Sequence, residues 1–100
     1  MLHTVNKSPY EKNSLSTCLA LAVDGSDILL IEDGVYGAIK GSAAAAEIEK
    51  ALGANKVYVL GPDVKARGIE SEKLIDGVQV VDYSGFVELA ANNDRVQSWL

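Results

Sequence analysis

Short apolar runs alternate with polar stretches along this chain, and four of the runs are typical of β-strands. The third of them, KVYVL, is β-prone and lies between polar segments. The second, DILLIED, is continuously apolar between polar ends, which is typical of a strand covered on both faces. The predicted strands are 2–5, 27–33, 56–60 and 78–81.

The segment after the first strand predicts an α-helix. Ser8 is a suitable N-cap, and Pro9 is suited to the first helical position. Glu11 stands where a capping box requires a carboxylate. The helix is predicted to run to about Val23, where Asp-Gly follows and ends it.

Further helices are predicted between and after the other strands. The clearest begins at a Ser42 cap and stops at Gly53, with Ile48 on its apolar face. The segment 61–68 begins Gly-Pro and ends in glycine, which indicates a short helix. Residues 82–93 predict the last helix, with an inward stripe of Phe86, Leu89 and Ala90. The segment 33–41 is expected to be a turn with one helical turn, and 71–76 a helical or loop segment.

Strands that alternate with helices favour an α/β fold of three layers. In such a fold a mainly parallel sheet carries helices on both faces, joined by right-handed crossovers as in Rossmann and flavodoxin-like proteins. A chain of 100 residues is expected to form one domain, 1–100.

Composition excludes several classes of function. The apolar share of 48% is globular, the formal charge is −5, and the Lys and Arg residues are scattered, so direct binding of nucleic acid is disfavoured. One cysteine and one histidine cannot form a structural zinc site or a disulfide. No membrane span or signal peptide is visible, and the lone thiol is expected to be reduced in the cytoplasm.

Ligands of open α/β sheets bind beyond the carboxyl ends of the strands, so these ends are the expected position of a ligand-binding site. They carry acidic residues for the most part and neither a G-x-G-x-x-G nor a Walker sequence, which disfavours nucleotide binding and predicts no cofactor. Asp33 and Asp82 are open to two interpretations, metal ligands as in response regulators or helix caps and turn formers. The second is favoured.

Cys18 is the only cysteine of the chain and therefore its only candidate thiol nucleophile. On a helical wheel it lies inside the apolar arc but near its edge, beside Leu21 and Ala22. It stands near the third turn of the predicted helix, too far from the N-terminus for the helix dipole to stabilise a thiolate. Packing in a core or interface is therefore favoured over persulfide carriage. A Cys18–His3 pair is conceivable, but a buried His3 bonded to backbone is favoured.

The C-terminal tail ends in an apolar segment with Val96, Trp99 and Leu100. Such a tail either folds back on its own core or inserts into a partner, and the sequence leaves both open.

Five segments of this sequence resemble the DsrH/TusB family over nearly the whole chain. The segments are LHTVNKSP, ILLIEDGVYGAI, VYVLGPDVKARG, VVDYSGFVEL and the terminal VQSWL. The resemblance implies a DsrE-like α/β domain. It also implies a cytoplasmic subunit of a sulfurtransferase heterohexamer that contains DsrE- and DsrF-like paralogues.

Two branches of this family have different roles. DsrH proteins act in bacterial sulfur oxidation, where a DsrC-like protein is a possible acceptor through the complex, whereas TusB proteins serve tRNA 2-thiouridine synthesis. Cys18 in the first helix matches the DsrH pattern and favours sulfur oxidation. In both branches the sulfur-accepting cysteine belongs to the DsrE or TusD subunit, after the third strand. The segment LGPDVKARG has no thiol there, which implies a non-catalytic subunit.

Two further functions stay open at this point. Cys18 is a candidate auxiliary persulfide site, which would make the chain a sulfur carrier itself. The α/β pattern with Asp33 and Asp82 is also compatible with a stand-alone module that resembles a receiver or flavodoxin domain.

Overall fold

A computed structural model of the chain describes all of its residues, 1–100. Five strands form one sheet in which every pairing is parallel. The order across the sheet is β4-β3-β2-β1-β5. The strands are β1 (Leu2–Val5), β2 (Asp27–Leu30), β3 (Lys56–Leu60), β4 (Gln79–Val81) and β5 (Val96–Trp99).

Helices connect consecutive strands, as the sequence pattern predicts. The α-helices are α1 (Ser14–Leu21), α2 (Ala45–Ala51), α3 (Gly61–Ala66) and α4 (Tyr83–Ala91). Two 3-10 helices, Glu32–Ala38 and Ser71–Lys73, lie in the second and third connections. None of these helices has the length and apolar character needed to cross a membrane.

The direction of travel along the sheet determines which face each helix covers. The chain steps from β1 to β4 in one direction and then returns past β1 to β5. Because parallel crossovers are right-handed, the first three connections lie on one face and α4 lies on the other. The predicted α/β class, with a parallel sheet and helices on both faces, is confirmed.

Strand register divides the sheet into two faces. His3 lies opposite Ile28 and Val5 opposite Leu30, so these side chains point the same way. We call this side the core face, and its members are His3, Val5, Ile28, Leu30, Val57 and Val59. The alternate residues form what we call the α4 face: Leu2, Thr4, Leu29, Tyr58 and Leu60.

The core face carries the main hydrophobic core. Its cluster contains 15 buried residues from the strands, the helices and the first 3-10 helix. Leu15 and Cys18 enter it from α1, and Ala45 and Ile48 enter it from α2. Burial of this apolar surface is the main stabilising term of the fold.

The strand residues of the α4 face are mostly buried, but the helix over them is more exposed than α1 and α2. No residue of α4 is fully buried, although Phe86, Leu89 and Ala90 are half-buried, which confirms the predicted inward stripe. The Asn93 side chain donates hydrogen bonds to Asp27 Oδ2 at 3.0 Å and to the Leu89 carbonyl at 2.7 Å. These bonds fix the C-terminal end of α4 to the first residue of β2.

The prediction that the first helix begins at Ser8 was wrong. Ser8 starts a separate turn, in which its carbonyl accepts bonds from the Glu11 and Lys12 amides. Its hydroxyl accepts a bond from the Tyr10 amide at 3.2 Å. The helix α1 begins six residues later, at Ser14. A capping signature near a strand end therefore stabilises a turn here and not the main helix.

The prediction that Ser42 caps the next helix was also wrong. The helix α2 begins at Ala45, and the Ser42 hydroxyl is buried without a hydrogen-bond partner. The Ser42 carbonyl accepts from the Ala45 amide at 3.1 Å, so turns precede the helix.

The strand predicted over 27–33 ends earlier, at Leu30, and a seven-residue 3-10 helix, Glu32–Ala38, begins one residue before the predicted turn 33–41 and extends into it. A backbone contact explains this change of direction. A Cβ atom on Gly34 would collide with the carbonyl oxygen of Val5, so only glycine lets the chain pass so close to the end of β1.

The C-terminal tail forms β5, a strand that the sequence pattern did not predict. It pairs in parallel with β1, and Trp99 packs against the core. Of the two alternatives for the tail, the structure shows that it folds back.

Candidate functional site

The carboxyl ends of the strands form a small charged cluster around Arg67. Its Nε donates to Asp33 Oδ1 at 2.9 Å, and its Nη1 lies 3.9 Å from Asp63 Oδ1. Asp63 is the first-turn carboxylate of α3, and Asp33 belongs to the 3-10 helix after β2. The connection from β2 to β3 and the connection from β3 to β4 are thereby joined at the position where an α/β sheet places its ligands.

Backbone geometry reinforces this cluster. Asp63 Oδ2 accepts a hydrogen bond from the Glu32 amide at 2.6 Å. Glu32 has φ of 49°, the only left-handed conformation outside glycine. The Asp63 carboxylate thus holds the sharp bend after β2 in place. The cluster contains no nucleophile, and its one arginine is shared by two aspartates.

Asp33 and Asp82 are not brought together. Asp82 is the N-cap of α4, and its Oδ1 accepts from the Gly85 amide at 2.8 Å. Asp33 is held by Arg67. The favoured interpretation is confirmed for Asp82, a helix cap, and Asp33 is the acceptor of an ion pair. No group of three or more His, Cys, Asp or Glu side chains is placed to hold a metal ion.

Cys18 lies in the middle of the apolar face of α1 and not at its edge. It is 0% exposed, whereas Leu21 and Val23, which the wheel placed near the arc, are exposed. Burial raises the pKa of the Cys18 thiol to about 12. A thiol in this environment is protonated and shielded, as a packed structural cysteine is. The auxiliary persulfide role of Cys18 stays a prediction, and it would require α1 to open.

His3 is buried on the core face, and its partner is a side chain and not the predicted backbone group. The Trp99 indole Nε1–H donates to His3 Nδ1 at 3.1 Å. His3 Nε2 is buried without a partner, so His3 makes no hydrogen bond to Cys18. Burial and then the N-terminal positive charge lower the pKa of His3. The conceivable Cys18–His3 pair is therefore not formed.

Arg67 is the site residue that the sequence interpretation missed. Its spacing from Asp63 is i, i+4 on a short helix, a pairing that sequence alone can suggest. The second partner, Asp33, is 34 residues away in the chain and becomes visible only when the connections fold together.

The parallel sheet, the ion-paired strand ends and the buried thiol define an α/β protein whose one cysteine is enclosed in the core. A family model described as "DsrH like protein" matches residues 7–96. The chain belongs to this DsrH-like family.

Curated relatives named Protein TusB match over full length. The protein of Erwinia tasmaniensis is 38% identical over 99 residues, covering 99% of this chain and 100% of the relative. The proteins of Photorhabdus laumondii and Shigella flexneri are 38% and 33% identical, each over 99% of this chain and 100% of their own length. The predicted resemblance to the DsrH/TusB family is confirmed.

Solved structures share the fold. The ychN protein from Escherichia coli superposes with a TM-score of 0.81 at 23% identity, covering 97% of both chains. MTH1491 from Methanobacterium thermoautotrophicum, described as a protein of unknown function, superposes with a TM-score of 0.75 at 13% identity. The match covers 97% of this chain and 96% of MTH1491. At these identities the likeness concerns the fold alone.

Proposed function

We propose that this chain is a non-catalytic subunit of a cytoplasmic sulfur-relay assembly of the TusB type, acting as one domain over residues 1–100. In this proposal it docks DsrE- and DsrF-like paralogues, which supply the reactive cysteine. Family membership and the full-length TusB relatives support the sulfur-relay theme.

One observation carries the non-catalytic role. The connection after β3, where the paralogues are expected to carry their acceptor thiol, holds Asp63 and Arg67 and no cysteine. The lone thiol, Cys18, is buried on α1, and its raised pKa keeps it protonated at neutral pH. Since the thiolate is the species that accepts and transfers sulfur, this chain lacks an available carrier.

Exposed apolar side chains support a docking role. Tyr83 and Val87 lie one turn apart on α4 and are 61% and 67% exposed. Leu100 and Val96 are exposed at the edge strand β5. Subunits of permanent assemblies carry such surfaces because partners cover them.

The names of the relatives favour the TusB role over the sulfur-oxidation role that Cys18 suggested. The thiol that pointed to the DsrH branch is a core residue here, so packing alone accounts for its presence. We therefore place tRNA 2-thiouridine synthesis first and sulfur oxidation second.

Assembly is tested by co-expressing the chain with its paralogues. Size-exclusion chromatography with light scattering should give one complex that contains all three proteins. A chain that elutes alone, with the paralogues in a separate complex, would contradict the docking role.

The sulfur chemistry is tested on the assembled complex with Cys18→Ala. Transfer of persulfide sulfur from a donor to the complex, followed by intact mass, should load a paralogue and leave this chain unmodified in the wild type and the variant. A one-sulfur mass gain on this chain that disappears in Cys18→Ala would establish the auxiliary persulfide role instead. The Cys18→Ala change is matched by Ala20→Ser, an exposed substitution on the same helix that should have no effect.

The branch is tested by deleting the gene in its own bacterium. Mass spectrometry of tRNA nucleosides should show loss of 2-thiouridine, restored by the wild-type chain. Unchanged 2-thiouridine together with impaired sulfur oxidation would reverse the order of the two roles.

A further inference from the structure

The chain has one histidine and one tryptophan, and the fold brings them into contact across 96 residues of sequence. His3 lies in β1 near the start of the chain, and Trp99 ends the edge strand β5. Their ring centroids are 6.2 Å apart, with an interplanar angle of 36°. The hydrogen bond runs from the indole N–H to His3 Nδ1, so Nδ1 must be unprotonated.

The surroundings of His3 offer nothing to stabilise an imidazolium. On its own strand the nearest charge is the N-terminal ammonium, which is also positive. The neighbouring strand β5 contributes no ionisable side chain, and β2 contributes only Asp27, which is on the opposite face. The helix α1 contributes Cys18, which is neutral, and carries no acidic or basic residue in its terminal turns.

We propose that the His3–Trp99 hydrogen bond is a proton-sensitive latch that holds the Trp99 side chain against the core. When a proton from solvent binds Nδ1, both ring nitrogens become donors, and the indole N–H faces another donor in place of an acceptor. The bond is lost, and a charged ring is left in a buried position, which favours departure of Trp99 from the core face.

The change is confined to the Trp99 side chain. The parallel pairing of β5 with β1 uses backbone groups that do not titrate. Two more contacts hold the same strand, from Thr4 Oγ1 to Ser98 Oγ at 3.3 Å and from Ser14 Oγ to the Leu100 carbonyl at 3.1 Å. The latch therefore exposes an indole on the edge strand without unfolding the sheet.

The sign of the pH dependence follows from the neutral acceptor. The pKa of His3 is lowered below its ordinary 6.5, so in the folded state the ring stays neutral at neutral pH. Stability contributed by the neutral ring is complete above pH 6.5 and decreases as the pH falls through the folded-state pKa, because the unfolded chain binds the proton more readily.

The test follows the single indole and the single histidine by NMR and tryptophan fluorescence, from about pH 8 downward until the His3 ring protons have titrated. The indole N–H signal and the emission maximum should move with the same midpoint as the His3 ring protons, below 6.5. The fluorescence should shift to the red, while far-ultraviolet circular dichroism stays constant. An indole signal that does not move while His3 titrates would overturn the latch.

Two variants sharpen the result. His3→Gln keeps an amide oxygen that can accept from the indole but does not titrate, so the shift in this pH range should vanish. Trp99→Phe removes the donor, and the His3 midpoint should rise by roughly half a pH unit or more, as expected for the loss of one hydrogen bond to the neutral form. A shift that persists in His3→Gln, or an unchanged midpoint in Trp99→Phe, contradicts the proposal. The wild-type NMR titration decides alone if either variant does not fold.

Discussion

The two faces of the sheet differ in how deeply the helices that cover them are buried. The core face belongs to a cluster of 15 buried residues from the strands, the helices α1, α2 and α3, the first 3-10 helix and the connecting segments. The α4 face is covered by one helix, and no residue of that helix is fully buried. The core face therefore stabilises the monomer, whereas the outer surface of α4 keeps exposed apolar side chains of the kind that partners cover.

The largest expected effect comes from two matched leucine truncations, one in a strand of the core face and one in the helix α4. Leu30→Ala removes a fully buried side chain of the core face and should lower the free energy of unfolding by about 2–5 kcal/mol. Leu89→Ala on the half-buried face of α4 should cost about 1 kcal/mol. Urea unfolding followed by circular dichroism measures both. Equal losses of unfolding free energy would show that α4 is packed as tightly as the core face.

A backbone test at the end of the core face should give the next largest effect. Gly34→Ala places a methyl group against the Val5 carbonyl and should destabilise the protein by about 1–3 kcal/mol through overpacking. Gly53→Ala is the matched control, because Gly53 is exposed at the end of α2 and its change should stay within about 0.5 kcal/mol. Thermal unfolding compares the two, and a loss at Gly53 as large as at Gly34 would argue against the close approach.

The attachment of α4 is tested at its N-cap. Asp82→Ala removes the acceptor of the Gly85 amide and should cost about 1 kcal/mol. Asp82→Asn keeps an acceptor oxygen and should cost only a few tenths of a kcal/mol. Denaturant unfolding measures the difference. Equal effects of the two substitutions would place the role of Asp82 in its charge instead.

The smallest effect on stability is expected on the outer surface of α4. Val87→Glu changes an exposed side chain and should alter the free energy of unfolding by less than about 0.5 kcal/mol. If α4 is a docking surface, the same change should weaken binding of the paralogues by roughly tenfold or more, as light scattering and titration calorimetry would show. Glu49→Gln on the exposed side of α2 is the control. Unchanged binding by Val87→Glu would remove this part of α4 from the interface.

Local patterns predicted four of the five strands and most helices because their causes are local. The apolar run after Asp27 and the KVYVL segment form strands, and Pro62 lies in the first turn of α3. The inward stripe at Phe86 and Leu89 follows from helical spacing. Boundaries were predicted less well, because Ser8 and Ser42 take part in turns that precede the helices.

The candidate site was predictable only in part. Asp82 as a cap was visible from its position before a helical stripe. The Arg67–Asp33 pair and the His3–Trp99 bond join residues 34 and 96 positions apart, and nothing local indicates such contacts. Cys18 was placed near the edge of its helical face on a wheel that continued to about Val23, whereas α1 ends at Leu21 and leaves both of these residues exposed.

The sequence by itself determined the α/β class, the family and the lack of a thiol after β3, since periodicity and residue identity carry that information directly. The tertiary structure decided the strand order, the return of the tail as β5 and the burial of Cys18 and His3. The physical reason is that burial and long-range hydrogen bonding depend on which surfaces meet, and only the closed sheet brings those surfaces together.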